Sequence, residues 1–243
     1  MFLTIFLLII IVTYSFLMGS IAIILSIPYR NINIVHSIAR LWGRGICRLT
    51  GVTVEVRGIE NILWDRSQIF ISNHQGMYDI FALEGYMPIR FLWIAKESLF
   101  RIPVIGWVMK RAGYIGINRS SPKRFLKSLN HAVEEIKSGR SVIIFPEGTR
   151  SRDGSIGRFK KGSLFLISKT GAPVVPVAIS GSFNVMRRGG FRIRPGKVSI
   201  FIDKPIEVKE ISRSQEGQFM ETLRDIIVKN FQKLESDRMQ LRE

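Results

Sequence analysis

An apolar run that passes directly into a polar turn occupies residues 141–151, which read SVIIFPEGTRS. The run Val142–Phe145 has the β-branched and aromatic composition of a buried strand. Pro146 ends that strand, because proline cannot donate a hydrogen bond to a central ladder. The polar turn left at the carboxyl end of the strand consists of Glu147, Gly148, Thr149 and Arg150. In α/β proteins, binding sites form at this edge of the sheet, so the stretch predicts an α/β fold with a site in the turn.

Similar short runs recur along the chain and indicate further strands. They are Val52–Gly58, Gln68–Ser72, Phe91–Ala95, Tyr114–Ile117, Ser141–Phe145, Val174–Ile179 and Val198–Ile202. Helical segments lie between several of them, and the clearest runs from Pro122 to Ser138, with Ser121 as N-cap and Gly139 past its end. The alternation predicts an α/β domain over residues 51–243. The first 50 residues have a different character.

The charge balance of the 243 residues is strongly basic, with 36 Lys and Arg against 19 Asp and Glu and a net charge of +17. Residues 86–200 carry 22 basic and 5 acidic side chains, so this middle region accounts for the whole excess. A hydrophobic fraction of 46% is too high for a disordered polycation. The single cysteine, Cys47, excludes disulfide scaffolds and cysteine-rich zinc sites. The partners that fit are nucleic acid, anionic lipid and a phosphorylated substrate.

The N-terminus is uncharged from Met1 to Tyr29, and Phe2 to Ile27 is dominated by Ile, Leu, Phe and Val. A helix of this length can cross a hydrocarbon core about 30 Å thick. A cleaved signal peptide is the competing interpretation, but a positive n-region and a small-residue cleavage site before Pro28 are missing. The first basic residues follow the segment, which predicts a domain on the cytoplasmic face of a membrane, such as the cell inner membrane. A full span and a hairpin that dips into one leaflet both fit.

The next segment, Ile32 to Leu49, has the pattern of a basic amphipathic helix. Arg40, Arg44 and Arg48 recur every four residues, opposite an apolar face that includes Trp42. Such a helix suits either the bilayer interface or the surface of the following domain, and the pattern does not choose between them. We therefore expect residues 1–50 to form membrane-associating helices.

A second strand end carries the residue types of acid–base chemistry. Residues 72–79 read SNHQGMYD and directly follow the predicted strand that ends at Ser72. A histidine in such a turn can have one ring nitrogen held by a carboxylate at the start of the next helix, which fixes the tautomer and makes the other nitrogen more basic. His74 and Asp79 have that spacing. The same pair also suits metal binding or helix capping, so the motif alone does not decide a function.

Four blocks, taken in order and with their spacing, resemble the glycerolipid acyltransferase family over most of residues 70–180. The blocks are Asn73-His74-x4-Asp79, Gly113-Tyr114-Ile115-Gly116-Ile117-Asn118-Arg119, Phe145-Pro146-Glu147-Gly148-Thr149-Arg150 and Val174-Val175-Pro176-Val177. Lys96 and Lys160 also fall where related enzymes carry basic residues. Asn118 departs from the aspartate that often precedes the arginine in the family, but Arg119 is retained. Together the blocks are far more specific than either motif alone.

The resemblance implies a single acyltransferase domain with a mixed sheet flanked by helices and no cofactor. The implied reaction moves a fatty acyl group from acyl-CoA or acyl carrier protein to the sn-2 hydroxyl of 1-acylglycerol 3-phosphate, giving phosphatidic acid for phospholipid synthesis. We expect His74 to act as general base and Asp79 to orient it. The candidate substrate-binding residues are Arg119, Glu147, Gly148, Thr149 and Arg150, with Lys96 and Lys160 in support.

Two other interpretations stay open. The same chemistry suits glycerol 3-phosphate or a lyso-aminolipid as acceptor. A non-catalytic protein that binds a membrane surface or nucleic acid through its basic residues would be indifferent to loss of His74. We expect lysophosphatidate, the acyl donor and an anionic phospholipid membrane as partners, rather than nucleic acid. We expect no bound metal, because the three histidines are scattered among separate segments.

Overall fold

A computed structural model of the chain describes residues 2–29, 32–208, 212 and 214–240. Within these ranges the strands are β1 (Val52–Arg57), β2 (Ile69–Ser72), β3 (Leu92–Lys96), β4 (Ile115–Ile117), β5 (Val142–Ile144), β6 (Val174–Ser180) and β7 (Gly196–Ile202). The helices are α1 (Phe2–Tyr29), α2 (Ile32–Leu49), α3 (Tyr78–Tyr86), α4 (Ile105–Arg111), α5 (Pro122–Lys137), α6 (Lys161–Thr170), α7 (Ser182–Val185) and α8 (Glu216–Gln240). Short 3-10 helices occupy Ile59–Asn61 and Glu97–Arg101. Each of the predicted strands is present, with ends shifted by no more than two residues.

The strands form one sheet in the order β1-β7-β6-β2-β5-β3-β4. Strand β2 pairs in parallel with β5 and β6, and strand β3 pairs in parallel with β4 and β5. Strands β1 and β7 are parallel to each other, but β7 runs antiparallel to β6. The sheet is therefore mixed, as the resemblance implies, and the α/β prediction is confirmed. Because β2, β3, β4 and β5 run the same way, their carboxyl ends meet at one edge, where the site lies.

Both faces of the sheet are covered, because successive side chains on a strand point to opposite sides. On β2, Phe70 packs into a core shared with α1, α2 and α3. Its neighbours Ile69 and Ile71 pack into a second core with α5, α6 and α8. Helix α5 begins as predicted, with the hydroxyl of Ser121 accepting a hydrogen bond from the Arg124 backbone N–H. The site edge is thus supported by helices on both sides.

Helix α2 packs on the domain. Its buried residues are Val35, His36, Ile38, Ala39, Gly43, Ile46 and Cys47. A Cβ atom on Gly43 would lie 2.8 Å from the backbone nitrogen of Gly85 in α3, so only glycine permits this approach. Arg44 Nε donates to the Gly85 carbonyl at 2.6 Å, and Trp42 Nε1 donates to Ser15 Oγ of α1 at 2.9 Å. Of the two interpretations of this amphipathic helix, the contacts favour the domain surface. On its arginine face, Arg44 donates to a carbonyl in the last turn of α3.

Helix α1 lies along the domain and is mostly exposed. Within the described part of the chain it contains the one segment, Phe2–Ile27, that is long and apolar enough to cross a membrane. Leu7 reaches the core beneath the sheet, and a Cβ on Gly19 would lie 2.5 Å from Val104 Cγ1 just before α4. These contacts are twelve residues apart, so α1 follows the domain surface for about 18 Å.

Candidate active site

The predicted site residues converge at the carboxyl edge of the sheet, around a cavity of about 810 Å³. Those that line it are His74, Lys96, Arg119, Gly148, Thr149, Arg150 and Lys160. Asp79 and Glu147 lie behind the wall and are buried. Strand ends that are distant in sequence therefore contribute to a single site.

A carboxylate holds the imidazole of His74. Asp79 Oδ2 lies 2.7 Å from His74 Nδ1, and it also accepts the backbone N–H groups of Gln75 at 2.6 Å and Gly76 at 2.9 Å. Two backbone N–H groups already donate to this buried oxygen, so it is an acceptor and His74 Nδ1 is the third donor. Nδ1 of His74 therefore carries the proton, and Nε2 is the nitrogen left for chemistry. The His74 side chain is 14% exposed, so the ring reaches the cavity while most of it is shielded.

Glu147 braces the backbone around His74. One carboxylate oxygen accepts the His74 N–H at 2.8 Å, and the other accepts the Gly157 N–H at 2.8 Å. The Ser151 N–H donates to the His74 carbonyl at 2.8 Å, so hydrogen bonds join the His74 turn and the turn after β5 in both directions. Burial raises the pKa of Glu147, and the two backbone donors oppose that rise. The structure thus places Glu147 between the His74 loop and Gly157, with one carboxylate oxygen bonded to each.

An aromatic stack supports the imidazole from below. The rings of His74 and Phe145 are parallel within 7°, with centroids 3.9 Å apart. The Phe145 ring also packs against the Trp93 ring, with centroids 5.7 Å apart. Trp93 Nε1 donates to Glu84 Oε2 at 2.6 Å, and the Tyr114 hydroxyl donates to the same oxygen at 3.0 Å. Burial raises the pKa of Glu84. Sequence reasoning missed Glu84, because a single acid in an apolar helix gives no sign of the partners that the fold brings to it.

The cavity carries a cluster of four cations, Lys96, Arg119, Arg150 and Lys160, called here the cation cluster. Two of them converge over Gly148: a Cβ there would lie 3.0 Å from Lys160 Nζ and 3.2 Å from Arg119 Nη2. Gly148 has a φ of 69°, which glycine adopts without strain. Within the residues that the structure describes, none of the four cations is paired with a carboxylate. The arrangement suits an anion with several oxygens, such as a phosphate.

The rest of the cavity wall is apolar. It includes Ile80, Trp93, Ile94, Leu99, Ile117, Phe125, Leu129, Ile144 and Leu166. A site with cations at one part and an apolar wall at another suits an amphiphile that has a charged head and a hydrocarbon chain.

Asn118, the departure from the family pattern, has a local explanation. Its side-chain Nδ2 donates to Glu97 Oε2 at 2.5 Å, while its Oδ1 accepts the Ser120 N–H at 2.9 Å. An ionised aspartate could accept but could not donate to Glu97. The amide therefore suits this chain and still leaves Arg119 at the cavity.

As for metals, the described ranges contain no group of three or more His, Cys, Asp or Glu side chains placed to hold an ion. The absence of a bound metal stays a prediction.

Comparison with known proteins agrees with this geometry. The family model described as Acyltransferase matches residues 53–180, which include both strand-end motifs. The chain belongs to the acyltransferase family. This acyltransferase-family chain is 39% identical over 173 residues to the chloroplastic 1-acyl-sn-glycerol-3-phosphate acyltransferase of Brassica napus, covering 70% of the chain and 50% of that relative. It is 32% identical over 187 residues to the 1-acyl-sn-glycerol-3-phosphate acyltransferase of Pseudomonas aeruginosa, covering 73% and 72%.

The acyltransferase fold is also shared with a solved structure. The 1-acyl-sn-glycerophosphate acyltransferase PlsC of Thermotoga maritima superposes with a TM-score of 0.83 at 30% identity, and the match covers 96% of each chain. The chain spans half the length of the Brassica relative and of a chloroplastic relative from Arabidopsis thaliana.

Proposed function

We propose that this chain is a 1-acylglycerol-3-phosphate O-acyltransferase. It would move a fatty acyl group from a thioester to the sn-2 hydroxyl of 1-acylglycerol 3-phosphate and so form phosphatidic acid. One observation carries the proposal: a histidine held by a buried carboxylate opens onto a cavity that has both a cation cluster and an apolar wall. Relatives that bear the name of this reaction support it.

In the proposed mechanism, His74 Nε2 takes the proton of the acceptor hydroxyl while the hydroxyl oxygen attacks the thioester carbonyl carbon. The imidazolium that forms is stabilised by Asp79, 2.7 Å from Nδ1. When the tetrahedral intermediate collapses, the C–S bond breaks, and the leaving thiolate takes the proton from His74. Because a thioester is already activated, the route needs no acyl-enzyme intermediate.

The acceptor phosphate would bind in the cation cluster. Arg119 and Lys160 approach each other across the open face of Gly148, and a phosphate oxygen there can contact both. Arg150 and Lys96 line the same cavity and add positive charge around the headgroup. Positive charge fixed at this point would hold the glycerol hydroxyl beside His74, and such positioning is a large part of the catalysis of bimolecular reactions.

The fatty acyl chain would lie along the apolar wall. Leu129 of α5 and Leu166 of α6 belong to the same core, on one face of the sheet, and both line the cavity. Burial of hydrocarbon there gives about 0.8 kcal/mol for each methylene group. The thioester, from acyl-CoA or acyl carrier protein, then has its carbonyl near His74.

The domain would work at the cytoplasmic face of a membrane. Helix α1 contacts the domain from Leu7 to Gly19, so a helix that crossed the bilayer would draw the polar domain into hydrocarbon. We infer that α1 lies within one leaflet, with its exposed apolar side chains among the lipid tails. A lysophospholipid in that leaflet then has a short path to the cavity.

The test is an acylation assay with the purified full chain in mixed micelles. Acyl-CoA and acyl carrier protein thioesters serve as donors in separate arms, and 1-acylglycerol 3-phosphate, glycerol 3-phosphate and a lyso-aminolipid serve as acceptors. Phosphatidic acid should be the main product with at least one donor. His74→Ala should lower kcat by about 10²–10⁴-fold, the usual contribution of a positioned general base.

The matched control is His131→Ala, because His131 lies on α5 with a half-exposed side chain outside the cavity lining. This variant should keep wild-type kcat. A preference for glycerol 3-phosphate, or a His74→Ala variant as active as His131→Ala, would overturn the proposal.

A further inference from the structure

We propose that a surface beside α4 is a second membrane contact, which seats on anionic phospholipid next to α1 and adjoins the mouth of the cavity. This surface, the α4 patch, consists of Leu99, Arg101, Ile102, Trp107, Lys110 and Arg111. The inference rests on the proposed function for its purpose. Its physical basis is separate and lies in exposure, charge and continuity.

Three large apolar side chains of the α4 patch are exposed to water, which is energetically unfavourable. Trp107 is 57% exposed, Leu99 41% and Ile102 38%. These three residues fall within nine positions of one another, on a short segment that the fold presents outward. Large apolar side chains that are exposed together mark contact surfaces rather than random exposure. A tryptophan among them is typical of the level of the lipid headgroups.

The charge of the α4 patch selects anionic lipid as its partner. Arg101, Lys110 and Arg111 are exposed, and residues 99–111 contain no acidic side chain. In the part of the chain that the structure describes, these three cations form no ion pair. Basic residues at a membrane surface gain about 1 kcal/mol each from anionic headgroups. Apolar side chains with cations beside them match the bilayer interface better than the surface of a protein partner.

The α4 patch is continuous with the apolar surface of α1. Gly19 sits against Val104 and Val108, since its Cβ would lie 2.5 Å from Val104 Cγ1 and 3.6 Å from Val108 Cγ2. Phe16 and Leu17, within one turn of Gly19, are exposed. A membrane that covers these α1 side chains therefore also reaches α4.

A strained residue fixes this junction. Val104 has a φ of 63°, an uncommon conformation for a β-branched residue that costs on the order of 1–3 kcal/mol. Strain of this kind persists only where the surrounding contacts determine it. Here the Ile105 N–H donates to the Pro103 carbonyl at 2.7 Å across Val104, and the Val104 side chain lies against Gly19, so the turn before α4 is held beside α1.

The α4 patch also borders the cavity. Leu99 is both exposed and part of the cavity lining, where it lies with Lys96 and Arg119. A lysophospholipid held at the patch can thus move its phosphate to the cation cluster while its chain stays against apolar side chains. The surface would bring the acceptor from the leaflet to His74 without exposing its hydrocarbon to water.

The first test follows the fluorescence of Trp107 in the full chain bound to anionic vesicles. The chain has four tryptophans, so the signal of Trp107 is taken as the difference between wild type and Trp107→Phe. Brominated phospholipids should quench this difference signal, and aqueous iodide should not. Trp64→Phe is the matched control, because Trp64 is 62% exposed but lies before the amino end of β2, away from the site edge.

The second test separates docking from chemistry. Two variants are assayed on two acceptors. The apolar variant combines Ile102→Ser and Trp107→Ser. The charge variant combines Arg101→Gln, Lys110→Gln and Arg111→Gln. One is a long-chain acceptor in anionic vesicles, and the other is a short-chain, water-soluble acceptor. The charge variant should raise the apparent KM on vesicles by about fivefold for each of its three lost cations, at about 1 kcal/mol per cation. The apolar variant should also raise this KM, and for both variants kcat/KM on the soluble acceptor should stay near wild type. Neutral vesicles should abolish the effect of the charge variant.

The outcomes are distinguishable. If the Trp107 signal is quenched equally by iodide with and without vesicles, or if Trp64 behaves like Trp107, the α4 patch is not a membrane contact. Equal losses of activity on both acceptors would likewise overturn the inference. A wild-type chain that acylates neither acceptor would contradict the proposed function alone, because the fluorescence test requires no turnover.

Discussion

The loop that carries His74 and the cation cluster lie in the same cavity but are built in opposite ways. In the loop, the ring, the N–H and the carbonyl of His74 are all hydrogen-bonded, to Asp79, Glu147 and Ser151. The cations are exposed or half-exposed at the ends of long side chains.

The difference matches the roles proposed above for the two regions. Proton transfer requires a nitrogen at a fixed position and in a fixed tautomer, and burial with many hydrogen bonds provides both. Binding an anion from water requires charge that has not already been neutralised, together with space for the ligand. The rigidly held His74 loop and the unpaired cations therefore lie next to each other, at the ends of neighbouring strands. Substitutions in the two regions should separate kcat from KM.

The largest effect is expected from Asp79→Asn, which tests the fixed region. An amide in place of the carboxylate cannot serve as the anionic acceptor for His74 Nδ1, Gln75 and Gly76. We expect kcat to fall by up to about 10⁴-fold, the scale of the same change in a serine-protease triad, and by no more than for loss of His74, because Asp79 acts through His74. The KM for 1-acylglycerol 3-phosphate should stay near wild type. Steady-state kinetics with both substrates varied measure this.

An exposed acid gives the control for that experiment. Asp225→Asn on α8 changes a carboxylate that is 68% exposed and should leave both constants unaltered. If Asp79→Asn raised the acceptor KM as much as it lowered kcat, the loop would be part of the binding region and the comparison would fail.

A smaller effect, confined to binding, is expected from Gly148→Ala. The added methyl group would lie 3.0 Å from Lys160 Nζ and 3.2 Å from Arg119 Nη2, so the two cations must move apart. We expect the acceptor KM to rise on the order of 10-fold, as for loss of one charged hydrogen bond, with a much smaller change in kcat.

Gly171→Ala separates this binding effect from backbone strain. Gly171 has a φ of 61°, close to the 69° of Gly148, but its Cβ would meet nothing within 4 Å. Both variants should lose similar stability in thermal unfolding, and Gly148→Ala alone should raise the acceptor KM. Equal KM values for the two would show that the cations do not converge on the acceptor there.

The smallest effect concerns Glu84, whose buried carboxyl extends the fixed region toward Trp93. Burial raises its pKa in the folded state above 4.5, so the folded protein holds this proton more tightly than the unfolded chain does. Its contribution to stability is full below pH 4.5 and is lost as the pH rises through the folded pKa. Glu84→Gln removes that titration. Over this window the free energy of unfolding of the variant should therefore rise relative to that of wild type, by about 1.4 kcal/mol for each pH unit between the unfolded and the folded pKa.

Denaturant unfolding at a series of pH values, with Glu221→Gln as the exposed control, measures the difference. Parallel stability curves for wild type and Glu84→Gln would mean that the carboxyl titrates as it does in the unfolded chain.

Much of the fold was predictable because its signals are local. The apolar runs of β2 and β5 pass into polar turns within a few residues. The N-cap Ser121 directly precedes Pro122, the first residue of α5, so this helix start can be identified from adjacent residues. The pairing of His74 with Asp79 follows from a spacing of five along one turn. Each of these depends on residues close in sequence.

What the sequence did not reveal depends on partners that only the fold brings together. Arg44 has the pattern of an interfacial arginine, but it donates to the carbonyl of Gly85, 41 residues away. Glu147 sits in a turn that predicts substrate binding, yet its two oxygens accept backbone N–H groups from His74 and Gly157. When a side chain has several possible partners, the group it pairs with depends on which polar groups are buried beside it. The tertiary fold sets this, not the neighbouring sequence.

Helix α3 has a further consequence for handling the protein. It has nine residues, too few to be a stable helix alone, and its two ends are held by different neighbours. Its first turn contains Asp79, and its last turn rests under α2 through Gly43 and Arg44. A detergent that loosens α2 would therefore release Asp79 from His74 while the sheet stays folded. Amide hydrogen exchange in α3, followed across detergents, should track specific activity more closely than melting temperature does.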